Sequence, residues 1–209
     1  MGGIPSRSTR NSDHENPEVK YPQYFIGDEV THEDLHYACQ SWALIVEDRG
    51  EEYLVNKDEI NTYCVTWFYT LFYSRLFDIA PETKTLFRRE IDQQGKMIVS
   101  LITFALNSFY EDSENLRSKL QKLATAHAAY GVVSSQYNQM GEVLFWTLSK
   151  VLGSQFCEPT KLAWVRIYSS LLKIILPVAV EEEKRIIAAD VDRPARKPTA
   201  ETDYQNGSK

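Results

Sequence analysis

Residues 120–145 read LQKLATAHAAYGVVSSQYNQMGEVLF. Leu116–Ala128 is amphipathic on a helical period and runs out near Gly131, a residue type that ends helices. Tyr137–Leu152 forms a second helical segment, stopped by Gly153. His127 sits near the end of the first segment, with Gly131-Val132-Val133 just beyond it. Three of the four histidines, His14, His32 and His36, fall in the N-terminal tail or in the first turn of the first helix. His127 alone lies within the apolar body. A lone histidine on a helix is ordinarily solvated or hydrogen-bonded, so its meaning has to come from its neighbours.

On either side the same helical grammar continues. Thr31 followed three residues later by Asp34 resembles a capping box. It opens a helix whose Leu35, Cys39, Trp42 and Ile45/Val46 share one face, stopped by Asp48-Arg49-Gly50. Arg49 to Asn61 is polar and reads as a loop. A strongly apolar helix with Val65, Phe68, Leu71/Phe72, Arg75 and Leu76 follows, and Pro81 marks a short turn. Met97, Ile98, Leu101, Ile102 and Ala105 recur at spacings of three and four, predicting a helix over Asp92–Phe109. Pro159, tolerated in a first turn, precedes a helix over Ala163–Leu176, which Pro177 should end or kink. No alternating strand pattern and no fixed repeat interrupts this layout. The expected fold is all-α, of seven to eight helices, with a domain at residues 31–188 between disordered tails at 1–30 and 189–209.

Composition narrows the function. Hydrophobic residues make up 43% of the 209-residue chain and aromatics 12%, enough for one sizeable core. A net charge of −6 argues against nucleic acid as a partner. Arg75, Lys96, Lys150 and Lys173 break the longest apolar segments, and residues 1–20 hold no secretory apolar stretch. Cys39, Cys64 and Cys157 form no CxxC pair and read as reduced, packing thiols of a cytoplasmic protein.

Several ordered landmarks together resemble the globins. They are Trp42 late in the first helix, the corner Pro81-Glu82-Thr83-Lys84-Thr85-Leu86-Phe87, and the segment His127–Val133 followed by Tyr137 and Met140-Gly141. Ala163-Trp164-Val165-Arg166-Ile167-Tyr168 matches the start of the family's last helix, so the resemblance covers roughly Thr31 to Val180. Within it the chain is most similar to single-domain bacterial-type and neuroglobin-like members. The resemblance implies a single haem b pocket, with iron held by His127 and Phe87 on the porphyrin face. It also implies a carbonyl about one turn earlier, at Leu123 or a neighbour, as acceptor for the other imidazole nitrogen. Tyr73 falls at the distal position of the second helix and Gln94 at the usual distal-histidine position. Ile98 lies one turn on, and Val133 and Tyr137 complete the cofactor contacts. Gln93 competes with Gln94, since a one-residue change in the corner swaps them.

A distal Tyr–Gln pair implies two neutral donors for a polarised dioxygen ligand, with little effect on carbon monoxide. Each hydrogen bond contributes ~1–3 kcal/mol in a dry site, so dioxygen is held tightly. Such retention suits a scavenger, a gas or redox sensor, or a nitric oxide dioxygenase better than a carrier. The flavohaemoglobin relay joins its histidine to a tyrosine, matched by Tyr137, and a glutamate, whose position falls near Ala179 with Glu181–Glu183 just beyond. No reductase domain follows in this sequence, so turnover would need a separate reductase as electron donor. The reading from another class is a haem-free helical interaction module in which His127 is incidental.

Two short motifs stand apart. His32-Glu33-Asp34-Leu35-His36 fits H-E-x-x-H, which in zinc proteases sets two ligands on one helical face. Here it opens a helix and has no third ligand nearby, so an acidic first turn is the favoured reading. Met1-Gly2-Gly3-Ile4-Pro5-Ser6 fits the N-myristoylation pattern, which makes Gly2 a lipidation candidate. One such chain gives reversible peripheral attachment to a membrane.

Overall fold

Thr31 and Asp34 exchange hydrogen bonds at the start of α1 (His32–Val46), the Asp34 amide donating to Thr31 Oγ1 and the Thr31 amide to Asp34 Oδ2. This reciprocal cap satisfies two amides that a helix start leaves without partners. The computed structural model describes residues 23–87 and 90–191. Among them the order is α1, α2 (Glu51–Ile60), α3 (Cys64–Ile79), a 3₁₀ turn at Pro81–Leu86, and α4 (Ile91–Glu111). Then come α5 (Ser113–Ala129), α6 (Gln136–Leu152), a short turn at Gly153–Gln155 and α7 (Glu158–Val191). The described residues include no strand.

The closest pairings are mostly between helices remote in sequence: α7 lies against α1 and α5, and α3 against α6 as well as against its successor α4. Trp42 ties them together. Its ring meets Phe68 and Trp164 edge-on, at 5.3 and 6.3 Å between centroids, and its Nε1–H donates to Thr103 Oγ1. Trp164 in turn donates to Ser41 Oγ, so both indole donors are satisfied inside the core. Ile45, Phe68, Phe72, Leu148, Val151, Leu172 and Leu176 complete a core closed to solvent.

Three expectations need correction. The polar stretch 49–61 is not an open loop, because Glu51–Ile60 is helical. Acidic Glu51 and Glu52 suit its N-terminus, and only Tyr53 is buried, so no apolar period announced it. Gly50 lets the chain enter it: a Cβ there would stand 2.7 Å from the Val151 carbonyl oxygen.

Pro177 does not end the last helix, since α7 continues to Val191 and the domain's last helix overlaps the expected tail from 189. Burial holds it on both sides of the proline, through Leu172 and Leu176 before and Ala179 and Val180 after, which outweighs one missing backbone donor. α7 is also long and apolar enough to cross a membrane by length and composition, despite Lys173. In the fold, Trp164, Ile167 and Leu172 are core residues.

Third, the segment just before Thr31 is not a free tail. The Tyr24 ring stacks edge-on against Phe145, the Ile26 amide donates to Ser169 Oγ, and Asp28 meets Arg166. The remainder of the N-terminal tail, including Gly2, lies outside the described residues.

Candidate functional site

One wall of the site comes from α3 and the turn after it. Pro81 starts that turn, and Thr83 Oγ1 donates to the Ala80 carbonyl, which directs the chain back so that Phe87 returns to α3. Tyr73, Phe77 and Phe87 form a triad of rings: Tyr73 and Phe77 each meet Phe87 edge-on at 5.3 Å, and each other at 6.1 Å. Tyr73 is 5% exposed, and burial pushes its hydroxyl up to about 12, so it is a neutral donor. It donates to the backbone carbonyl of Gln94 at 3.2 Å.

α4 supplies the adjoining wall. Gln94 and Ile98 are half-buried one turn apart, whereas Gln93 is exposed. Tyr73, Phe87 and Gln94, which lie 21 residues apart at most, are thus brought together by the turn at 81–87. Sequence reasoning missed what stands beside them: Tyr69 donates to Asp92 Oδ1, and its ring covers Gly95. A glycine three residues after a carboxylate at a helix start was the available sign.

His127 stands in the last turn of α5. Asp112 caps this helix by accepting from the Asn115 amide. Burial lowers the imidazole's affinity for a proton, so His127 is held neutral, the form that ligates a metal. Its Nδ1 faces the hydroxyl of Tyr137 at 3.4 Å, with the ring centroids 6.4 Å apart. The expected partner, the Leu123 carbonyl, is therefore replaced by a phenol from the first turn of α6. Val133 proves to be a rim residue: it is 37% exposed, and its amide donates to Gln136 Oε1. Ala179, at the relay's glutamate position, is buried, and Glu183 instead accepts from the Ser134 amide at 3.1 Å.

These residues fit a haem. A neutral imidazole has one nitrogen engaged by Tyr137, and no described residue bonds the other. Phe87, Ile98, Val132 and Val133 offer apolar flanks only partly covered by protein, with Met97 56% exposed on the same helix as Ile98. Leu86 Cδ2 stands 3.6 Å from where a Cβ of Gly131 would be, so the corner before α4 and the turn after His127 are neighbours.

A globin family model matches residues 70–175, half of the chain and all of this site apart from its approaches. The chain belongs to the globin family. It is 30% identical over 116 residues to a flavohemoprotein of Rhizobium meliloti (strain 1021), across 54% of this chain and 29% of that protein. It is 26% identical over 108 residues to a flavohemoprotein of Vibrio cholerae, across 50% and 27%. This globin thus spans under a third of the length of these two relatives. Against a neuroglobin of Chaenocephalus aceratus the identity is 29% over 110 residues, across 46% of this chain and 69% of that one. An engineered carbene transferase, titled a putative nitric oxide dioxygenase from Rhodothermus marinus, shares the fold. Its TM-score is 0.55 at 18% identity, covering 78% of this chain and 99% of that one. Membership of the family implies haem binding.

The remaining candidates sit elsewhere. His32 stacks on Tyr110 at 4.4 Å, and Tyr110 donates to the Val30 carbonyl, so this histidine belongs to the capping turn of α1. Cys64 is buried, with its thiol pushed up to about 12 by burial, and Cys39 is half-buried. Cys157 departs from the packing role. It is exposed at the start of α7, with Sγ 3.4 Å from Thr160 Oγ1.

Proposed function

We propose that this globin carries haem b on His127 and binds dioxygen reversibly, with Tyr73 and Gln94 slowing its release. Haem iron, when bound, supplies the point at which diatomic gases coordinate. The chain's own residues do the rest. His127 presents a neutral imidazole, and Tyr137 orients its ring from behind. Phe77 and Phe87 exclude water around the Tyr73 hydroxyl, and Ile98 and Val133 border the apolar slot.

The observation that carries the reading is Tyr73, a buried neutral donor set beside Gln94 and Phe87. Its present acceptor is a main-chain carbonyl at 3.2 Å, a neutral partner that a polarised gas ligand can displace. The test is spectroscopic. Purified protein reconstituted with haem should give a Soret band at one equivalent, and the reduced form should shift on exposure to air and shift back under vacuum. A protein with no Soret band after reconstitution would be the haem-free helical module.

A second reading, nitric oxide dioxygenase fed by a separate reductase, draws on the flavohemoprotein likeness and on the His127–Tyr137 contact. Rapid consumption of nitric oxide by the oxygenated protein, sustained only with an added flavin reductase, favours it. A cytoplasmic location is proposed as well, with reversible membrane attachment through Gly2. Expression in a eukaryotic cell should put part of the wild type on membranes and none of Gly2→Ala, and identical fractionation would retire the lipid.

A further inference from the structure

Two tyrosines one helical turn apart on α3, Tyr69 and Tyr73, both reach the first turns of α4, and their bonds differ in kind. Tyr69 is 5% exposed and lies against Gly95, where a Cβ would stand 2.3 Å from its ring carbons. Its hydroxyl donates to Asp92 Oδ1 at 2.5 Å, and the other carboxylate oxygen is 2.7 Å from Lys96 Nζ. That bond is short and has an ionised acceptor. Tyr73 donates at 3.2 Å to the neutral Gln94 carbonyl, an acceptor that also serves the backbone of its own helix. Charge-assisted bonds are roughly twice as strong as neutral ones, so the first contact holds while the second can exchange.

We infer that Tyr69 is a positioning residue for the gas site. By clamping α4 at Asp92 and Gly95 it fixes the register that turns Gln94 inward and Gln93 outward. It also lets the Tyr73 hydroxyl leave the Gln94 carbonyl for a ligand without loosening the helix. Gly95 is part of the device, because any larger residue would push the ring away. This inference rests on the proposed reading of Tyr73 and Gln94 as the ligand-facing pair.

Tyr69→Phe keeps the ring and removes only the hydroxyl. In haem-free protein, amide hydrogen exchange should quicken selectively over residues 91–98 in this variant and not in Tyr73→Phe. In the haem-loaded protein, dioxygen dissociation should speed roughly 3- to 10-fold, with carbon monoxide dissociation nearly unchanged, although Tyr69 is one turn from the ligand-facing residues. Asp92→Ala should match Tyr69→Phe, whereas Asp92→Asn keeps an oxygen acceptor without its charge and should fall between wild type and Asp92→Ala. If exchange rises uniformly across all helices, or Tyr69→Phe releases dioxygen within twofold of wild type, Tyr69 is only a packing residue. Where Tyr73→Phe and Gln94→Leu still speed release, the proposed function survives that failure. Where they also change nothing, both fall.

Discussion

The Tyr137 hydroxyl and Nδ1 of His127 stand 3.4 Å apart across the junction of α5 and α6, both largely withdrawn from water. Burial pushes the Tyr137 hydroxyl up to about 12, so it remains protonated at every working pH and serves as a neutral neighbour to the imidazole. Removing it with Tyr137→Phe leaves the ring in place and the imidazole less well oriented. We expect haem to transfer to an acceptor apoprotein several-fold faster, with a shifted iron–imidazole stretching band in the ferrous protein. An unchanged band and transfer rate would show that the contact has no bearing on the ligand.

His127→Ala removes the proposed ligand itself. Of the described histidines, the other two do not reach this site: His32 and His36 lie exposed in the first turns of α1. Stoichiometric haem binding should be abolished and then restored by free imidazole, and a full Soret band without imidazole would refute the assignment. The unloaded variant should also lose the stabilisation that a native-state ligand confers through mass action.

Local chemistry made part of this protein legible. The Thr31–Asp34 cap, the turn at Pro81 and the glycine after α6 depend on neighbours within a few residues, and each stands where the residue types place it. α2 was invisible because it buries one side chain and is anchored from afar, with Glu51 accepting from Ser154 and Gly50 against Val151. Asp48 illustrates the same limit. It reads as a helix stop, yet its carboxylate accepts from the Cys64 amide at 2.7 Å and caps the start of α3. At the site, Tyr73, Phe87, Gln94 and His127 became candidates through the family resemblance, counted from the Pro81 corner. The Tyr69–Asp92–Gly95 contact and the replacement of the Leu123 carbonyl by Tyr137 arise from how helices meet, which no period encodes.

The distal pair makes a ranked prediction. Tyr73→Phe should speed dioxygen dissociation about tenfold, the effect of losing a hydrogen bond of ~1.4 kcal/mol, while leaving carbon monoxide dissociation nearly unchanged. Gln94→Leu should act in the same direction more weakly, and exposed Gln93→Leu should be neutral within experimental error. A larger effect at Gln93 than at Gln94 in flash-photolysis rates would move the register of α4 by one residue.

Asp34 contributes to stability far from the proposed gas site. It is 5% exposed. Burial alone would raise its pKa, but hydrogen bonds from the Thr31 amide and hydroxyl, with Arg166 at 3.1 Å, together hold the carboxyl below the ordinary 3.8. A carboxylate with a depressed folded pKa contributes stability that is complete above 3.8 and disappears as pH falls from there through the folded value. Asp34→Asn discards the charge and turns an amide towards donors, which should cost about 1–3 kcal/mol at pH 7. Thr31→Ala removes one partner only and should cost about 1 kcal/mol. Urea unfolding of the haem-free proteins should show the gap between wild type and Asp34→Asn constant at pH 5–8 and shrinking below pH 4. Parallel curves down to pH 2.5 would mean that the Asp34 charge contributes nothing to the folded state.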